Sequence, residues 1–234
     1  MPGANAKCSR DNVRTILVID IGGTHVKMGL SKPPQRCKFK SGPKLTAKMM
    51  VAKVNSLTKG WTYQVVSIGY PGPVAGNRPI AEPCNLGSGW AGFDFANAFH
   101  RSVKVVNDAV MQALGSYRGG RMLFLGLGTG LGSAMIIDDV IEPMEIAHLP
   151  YKRGKSYEHY LGTRGLKRSE LKKWRKHVAV VVKSLSAALE PEYVVLGGGN
   201  VKKINKLPPH TERGSNDKAF VGGIRLWEKP CSHA

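Results

Sequence analysis

The feature that most constrains the fold is a motif the chain uses twice. Thr15–Asp20 (TILVID) is a β-branched run that ends in an acid and meets Ile21-Gly22-Gly23-Thr24, after which His25–Leu30 alternates toward a second strand. Further along, Met122–Leu127 (MLFLGL) is another apolar run, Gly128-Thr129-Gly130-Leu131-Gly132 a glycine turn, and Ser133–Ile137 a return strand. A strand that turns through glycine and threonine into an antiparallel partner, written twice, predicts a duplicated α/β architecture of two lobes with a cleft between them. The boundary is set after Asp108, giving a smaller lobe over 1–108 and a larger one over 109–234.

The segments between these units fill in the lobes. A third strand is expected near Cys37–Lys40, and Thr46–Leu57 carries Met49, Met50, Val54 and Leu57 at helical spacing. Gln64–Tyr70 reads as a buried strand, Pro71-Gly72-Pro73 as a turn, and the Gly-, Pro- and Asn-rich stretch 76–92 as loop. A short helix over Phe93–Phe99 precedes the strand Val103–Val106, which runs into a helix to Tyr117 that either Asn107 or Asp108 is able to cap. Arg168–Leu189 sets Leu171, Trp174, Val178, Val181 and Leu185 on one helical face. Tyr193–Leu196, followed by Gly197-Gly198-Gly199, reads as a buried strand entering another helix.

Composition narrows the class of protein. With 42% hydrophobic and 22% charged residues in 234, the chain matches a folded globular protein rather than a disordered tail or a coiled coil. Its formal charge of +19 draws polyanions by long-range attraction, which leaves nucleic acid, anionic membrane and polyphosphate all open. Cys8, Cys37, Cys84 and Cys231 show no CxxC spacing, so they read as reduced thiols rather than zinc ligands or a disulfide framework. Neither a signal-peptide core nor a membrane-length apolar run is present, and the cytoplasm is the expected compartment.

The glycine turns are where chemistry is expected. In Asp20-Ile21-Gly22-Gly23-Thr24 the glycines let backbone amides approach an anion closely, while Thr24 and Lys27 add hydroxyl and ammonium donors. A Gly-Gly hairpin turn needs no ligand, so this loop alone is ambiguous. The second loop, Gly126–Gly132 with Thr129 at its centre, offers the same groups from the other lobe, and two such loops facing one cleft favour a phosphate site.

In order along the chain, DIGGT at 20–24, VNDA at 106–109, GLGTGLGSA at 126–134, EIAH at 145–148 and LGGG at 196–199 resemble the ROK family of sugar kinases. That family has the actin-like ATPase fold, with duplicated ribonuclease-H-like lobes, and the resemblance runs from about Thr15 to Trp227. Within it, 148–162, 165–177 and 219–227 look most like the polyphosphate glucokinases. The resemblance implies that Asp108 is the general base that takes the proton from the sugar 6-hydroxyl, and a carboxylate beside a bound hydroxyl suits that task. It also implies that Asn85, Asn107, Asp108, Glu145, His148 and Glu158 bind the sugar. Asp20, Gly22, Gly23, Thr24, Lys27, Gly128, Thr129, Gly130, Gly198 and Gly199 would then face the phosphates. Each has a plainer reading: Asp108 as a helix cap, His148 as a structural histidine, Glu158 as a solvated acid, and the triple glycine as tight packing.

Two departures from the family pattern matter. Ala147 stands where the E-x-G-H motif has glycine, and 149–157 contains no cysteine for the zinc cluster many relatives carry, so no structural zinc is expected. Between Lys152 and Lys206 there are 14 Lys or Arg against 4 Glu. Lys172, Lys173, Arg175 and Lys176 within that stretch are the candidate track for a polyphosphate chain, with a solvated helix face as the plain alternative.

The expected activity is therefore transfer of a phosphoryl group from polyphosphate, and also ATP, to glucose, with Mg²⁺ accompanying the donor and a homodimer as the assembly the resemblance implies. The competing readings are a strictly ATP-dependent hexose kinase, an inactive sugar-binding relative and a sugar-responsive repressor. About a dozen residues precede the first strand, too few for a helix-turn-helix, so DNA and membrane are not expected partners.

Overall fold

The computed structural model describes residues 14–228; Cys8 and Cys231 lie outside them. The chain opens as an antiparallel meander of β1 (Ile16–Ile21), β2 (His25–Leu30) and β3 (Gln35–Lys40). Helix α1 (Ala47–Leu57) follows, capped by the Thr46 hydroxyl, which accepts the Met49 amide at 3.2 Å. The chain then adds β4 (Val65–Tyr70), the small hairpin β5 (Val74–Ala75) and β6 (Arg78–Pro79), helix α2 (Phe95–Phe99), and β7 (Ser102–Asn107). β4 pairs parallel with β1, and β7 parallel with β4, so the first sheet runs β3-β2-β1-β4-β7.

Helix α3 (Asp108–Ser116) crosses to the second half, which repeats the plan. β8 (Arg121–Leu127), β9 (Leu131–Ile137) and β10 (Val140–Met144) form a meander. The hairpin β11 (Pro150–Lys152) and β12 (Lys155–Ser156), and helices α4 (Tyr157–Leu161), α5 (Thr163–Arg168) and α6 (Leu171–Leu189), lead to β13 (Tyr193–Gly197) and β14 (Thr211–Arg213). The second sheet runs β10-β9-β8-β13-β14, with β13 parallel to β8 and β14 parallel to β13. Strand for strand this is the order and sense of the first sheet, and the two sheets together form the duplicated actin-like ATPase fold.

Each sheet is covered on both faces. Met50, Val51 and Val54 of α1 pack with Leu17, Ile19 and Ile68 on one side of the first sheet. Trp174, Val178, Val181 and Leu185 of α6 pack with Leu123, Leu125 and Leu196 on one side of the second. Between the sheets lies α3, whose Met111 faces Val18 and Val65 while Ala109, Val110 and Ala113 face Phe124 and Ile136. The last helix, α7 (Lys218–Arg225), returns to the first sheet and crosses α3 at glycines. A Cβ on Gly115 would come within 1.8 Å of the Lys218 carbonyl, and one on Gly222 within 1.8 Å of the Met111 carbonyl, so only hydrogen fits at this crossing.

Four local expectations need correction. The helix expected over 168–189 is the single helix α6 but begins only at Leu171, because Arg168 ends α5 and Ser169 and Glu170 have extended backbone. Met49, Leu57 and Leu171 point outward rather than into the core, because the buried stripes of α1 and α6 are centred on Met50/Val54 and Trp174/Val178. The triple glycine leads into a single 3₁₀ turn over Val201–Lys203 and then β14, not a further helix. Within the expected loop 76–92, Asn77 takes positive φ and Arg78–Pro79 pair back on β5, and the Asn77 side chain bridges the Val103 carbonyl and the Val105 amide.

Candidate active site

Parallel strands place their carboxyl ends on one edge, and in open α/β sheets ligands bind outside that edge. Here β1 delivers Asp20 there, in register with Gly69 of β4, which in turn pairs with Val106 of β7, so Asn107 and Asp108 emerge just beyond. Asn107 is the helix cap: its side-chain oxygen accepts the Ala109 amide at 2.9 Å and its amide nitrogen donates to the Gly72 carbonyl at 3.0 Å. Of the two candidates for that cap, Asn107 takes it, and Asp108 occupies the first helical position with its carboxylate available to the cleft.

Three acids bear on one another across this edge. Burial, followed by the charge of Asp20 and more weakly that of Glu145, pushes the Asp108 carboxyl up to about 7, against helix-start amide hydrogen bonds that pull it down. Asp20 is itself buried and raised by that burial, while Lys27, whose Nζ donates to Asp20 Oδ2 at 3.2 Å, opposes the rise. A carboxyl poised near neutrality, on a helix start between two other acids, has the character of a proton acceptor.

The two glycine turns differ in how they are held. In the first, the Gly22 amide donates to the His25 carbonyl at 3.0 Å and its carbonyl accepts the Ser41 hydroxyl at 2.6 Å, leaving Gly23 and Thr24 exposed. A Cβ on Gly23 would stand 3.3 Å from Cβ of Asn85, so the structure brings Asn85 directly against this turn. The loop bearing Asn85 is organised by Glu82, whose carboxylate accepts the amides of Gly89, Trp90 and Ala91 at 3.1–3.2 Å. Glu82 was not among the residues singled out by sequence, because its partners lie beyond an irregular loop with no periodicity.

The second turn is tied to the triple glycine. The Gly128 carbonyl accepts from the Thr163 amide at 3.0 Å, the Thr163 hydroxyl at 2.8 Å and the Asn200 side chain at 3.0 Å, and Asn200 also donates to Thr163. Gly198 has φ +80°, and a Cβ there would lie 2.5 Å from the Leu127 carbonyl, so its glycine is required by close approach. Gly199 and Thr129 remain exposed at the cleft side of this clasp. Thr163 is the residue of this clasp that sequence reading missed.

Glu158 lies against the same turn. Its Oε2 accepts the Leu131 amide at 3.4 Å and would sit 2.5 Å from a Cβ on Gly130. Glu145 and His148 flank a 3₁₀ turn over Ile146–His148 in which Ala147 is buried, and both side chains are exposed. Beside Asn107 and Glu145, a cavity of about 350 Å³ with largely apolar walls of Val74, Val105, Val110 and Ile141 separates the edges of the two sheets.

The expected phosphate track is only partly free. Arg175 is held by the Lys203 carbonyl at 2.6 Å and Asn205 Oδ1 at 2.8 Å, and Lys173 pairs with Glu170 at 3.5 Å. Lys172 and Lys176 are exposed on α6. Among the described residues no group of three or more His, Cys, Asp or Glu is placed to hold a metal ion, and no helix is long and apolar enough to cross a membrane.

The chain belongs to the ROK family, whose model matches residues 16–142. The polyphosphate glucokinase of Mycobacterium leprae (strain TN) is 27% identical over 219 residues, covering 83% of this chain and 66% of that protein, just under two thirds of its length. The inorganic polyphosphate/ATP-glucomannokinase of Arthrobacter sp. strain KM superposes with a TM-score of 0.77 at 22% identity, covering 91% of this chain and 98% of that one. The ROK family glucokinase of Streptomyces griseus, in complex with glucose and AMPPNP, gives 0.71 at 18%, with 91% and 98% covered. At these structural identities the likeness is one of fold.

Proposed function

We propose that the chain is a cytoplasmic glucokinase that transfers a phosphoryl group from inorganic polyphosphate, and also from ATP, to the 6-hydroxyl of glucose. The observation that carries this reading is Asp108, at the first helical position after the Asn107 cap and raised to about 7 by its burial and the charge of Asp20. In its ionised form Asp108 accepts the 6-hydroxyl proton as that oxygen attacks the terminal phosphorus. The names of the M. leprae and Arthrobacter proteins support the donor, as does the +19 charge.

In this reading Asn85, Glu145, His148 and Glu158 hold the sugar hydroxyls, and any of these polar groups that a bound sugar covers without pairing it penalises a sugar of the wrong geometry. Asn107 contributes mainly by fixing the start of α3, with one side-chain N–H and one lone pair left over for a sugar hydroxyl. Thr24, Gly23, Thr129 and Gly199 line the donor side, and the homodimer is the proposed assembly. The buried Asp20 carboxylate, which already draws Lys27 Nζ to 3.2 Å, is the group that would hold Mg²⁺, an ion usually bound by one or two carboxylates plus substrate phosphates. When bound it neutralises charge on the donor phosphates.

The test is steady-state formation of glucose 6-phosphate by purified protein with each donor alone and with both in competition. Product from polyphosphate that ATP suppresses competitively supports one shared site. Product from ATP alone leaves a nucleotide-dependent hexose kinase, and product from neither leaves a sugar-binding protein.

A further inference from the structure

A cluster of rings and cations lies on the far side of α4 from Glu158. Tyr151 of β11 meets His177 of α6, hydroxyl to Nδ1 at 3.0 Å, and its ring stacks edge-on to Tyr160 of α4 at 5.2 Å between centroids. Tyr160 in turn contacts His177 at 4.8 Å and its neighbour His159 at 5.3 Å. The rings therefore hold two imidazoles in fixed places where β11, α4 and α6 meet.

The charges around these imidazoles are all of one sign. The charges of Lys152 of β11 and Lys176 of α6 act on His177; those of Arg168 of α5 and Lys155 of β12 act on His159, and the Arg168 guanidinium also donates to the His159 carbonyl at 2.6 Å. The stretch 148–177 has ten Lys or Arg and two Glu. Both acids are occupied elsewhere, Glu158 on the Gly130 turn and Glu170 on Lys173. Partial burial and then these cations hold both imidazoles below the usual histidine range.

We infer that this face, Lys152, Lys155, His159, Arg168, Lys176 and His177, binds a phosphate chain, and that binding is coupled to proton uptake by the two histidines. The inference rests on the polyphosphate reading for its ligand. An anion laid among the cations cancels the charge that disfavours imidazolium, so each histidine gains a proton more readily in the bound state. By linkage, the chain then binds more tightly as pH falls, through the interval between the free and bound histidine values. The Tyr151 hydroxyl donates to neutral Nδ1 or accepts from a protonated one, so the cluster persists in both states. This assigns the chain to the β11–β12 hairpin and α4 as well as α6, in place of Lys173 and Arg175, which are already paired.

The experiment is calorimetric titration of the full chain with medium-chain polyphosphate at about pH 6 and about pH 8, each in two buffers of different ionisation enthalpy. We expect binding that tightens roughly tenfold toward the lower pH, with net proton uptake of about one. His159→Gln with His177→Gln is expected to remove uptake and pH dependence while retaining binding near pH 8. Binding without proton uptake, or uptake that survives in the double variant, overturns the inference and leaves the polyphosphate reading standing. Absence of any binding overturns both. The wild-type arm alone reports uptake, so the test does not depend on the variant's folding.

Discussion

Asn107 caps α3 by accepting the Ala109 amide at 2.9 Å, and in doing so it releases Asp108, the next residue, from the structural duty that an acid at a strand-to-helix junction ordinarily performs. The cleft gains a carboxylate that is positioned by the helix but not consumed by it. Replacing Asp108 by Asn therefore preserves α3 and should lower turnover by about 10²–10⁴-fold, the usual worth of a positioned base. Steady-state kinetics alongside a thermal melt check this; wild-type turnover in a folded variant would remove Asp108 from the chemistry.

The same residue sets a pH dependence. Only the ionised form accepts a proton, so kcat/KM should rise with pH and level off above a midpoint of about 7. Glu145→Gln removes one of the charges that raise that midpoint and should move the limb to lower pH, while also raising the sugar KM. A pH profile flat from about 5 to about 8 would exclude a base of this kind.

Stability carries the opposite sign. A carboxyl whose folded value is raised from 3.8 to about 7 favours the folded state at low pH, and that contribution is lost as pH rises through about 7. Asp108→Asn should therefore raise the Tm relative to wild type more at about pH 8 than at about pH 5, each kcal/mol appearing as about 2–4 °C. Equal differences at the two pH values would show that the cleft does not disfavour the charge.

In the proposed reading the clasp between the second turn and the triple glycine serves the donor side. Asn200→Ala removes hydrogen bonds to the Gly128 carbonyl and to Thr163, and should raise the donor KM by about tenfold while the sugar KM changes little. Equal rises in both constants would make the clasp a general scaffold.

Gly115→Val tests the crossing of α3 and α7. The added atoms meet the Lys218 backbone, and overpacking of this kind costs about 1–3 kcal/mol or more. A melt with unchanged Tm would mean that α7 docks less closely than 1.8 Å from a Cβ implies.

What was legible in the sequence was local. The strands before each glycine turn and the buried face at Trp174 and Val178 follow from runs and spacings within a few residues, and the repeated turns foretold the repeated sheets. What escaped depends on partners far along the chain. The return of α7 rests on glycines at 115 and 222 whose value is their lack of a side chain, which no hydrophobic period records. Arg175 looked free because Lys203 and Asn205, which hold it, lie beyond β13 and about 30 residues along the chain. Thr163 went unnoticed for the same reason: it is an ordinary polar residue until the fold brings it and Asn200 to one carbonyl.

The central claim is that this cleft phosphorylates a sugar through Asp108. The most direct measurement is the initial rate of glucose 6-phosphate formation by wild type and Asp108→Asn at saturating glucose, with polyphosphate and separately with ATP. We expect product with polyphosphate from the wild type and a rate at least about a hundredfold lower from the variant with every donor used. Equal rates from the two proteins, or no product from the wild type with either donor, would contradict it.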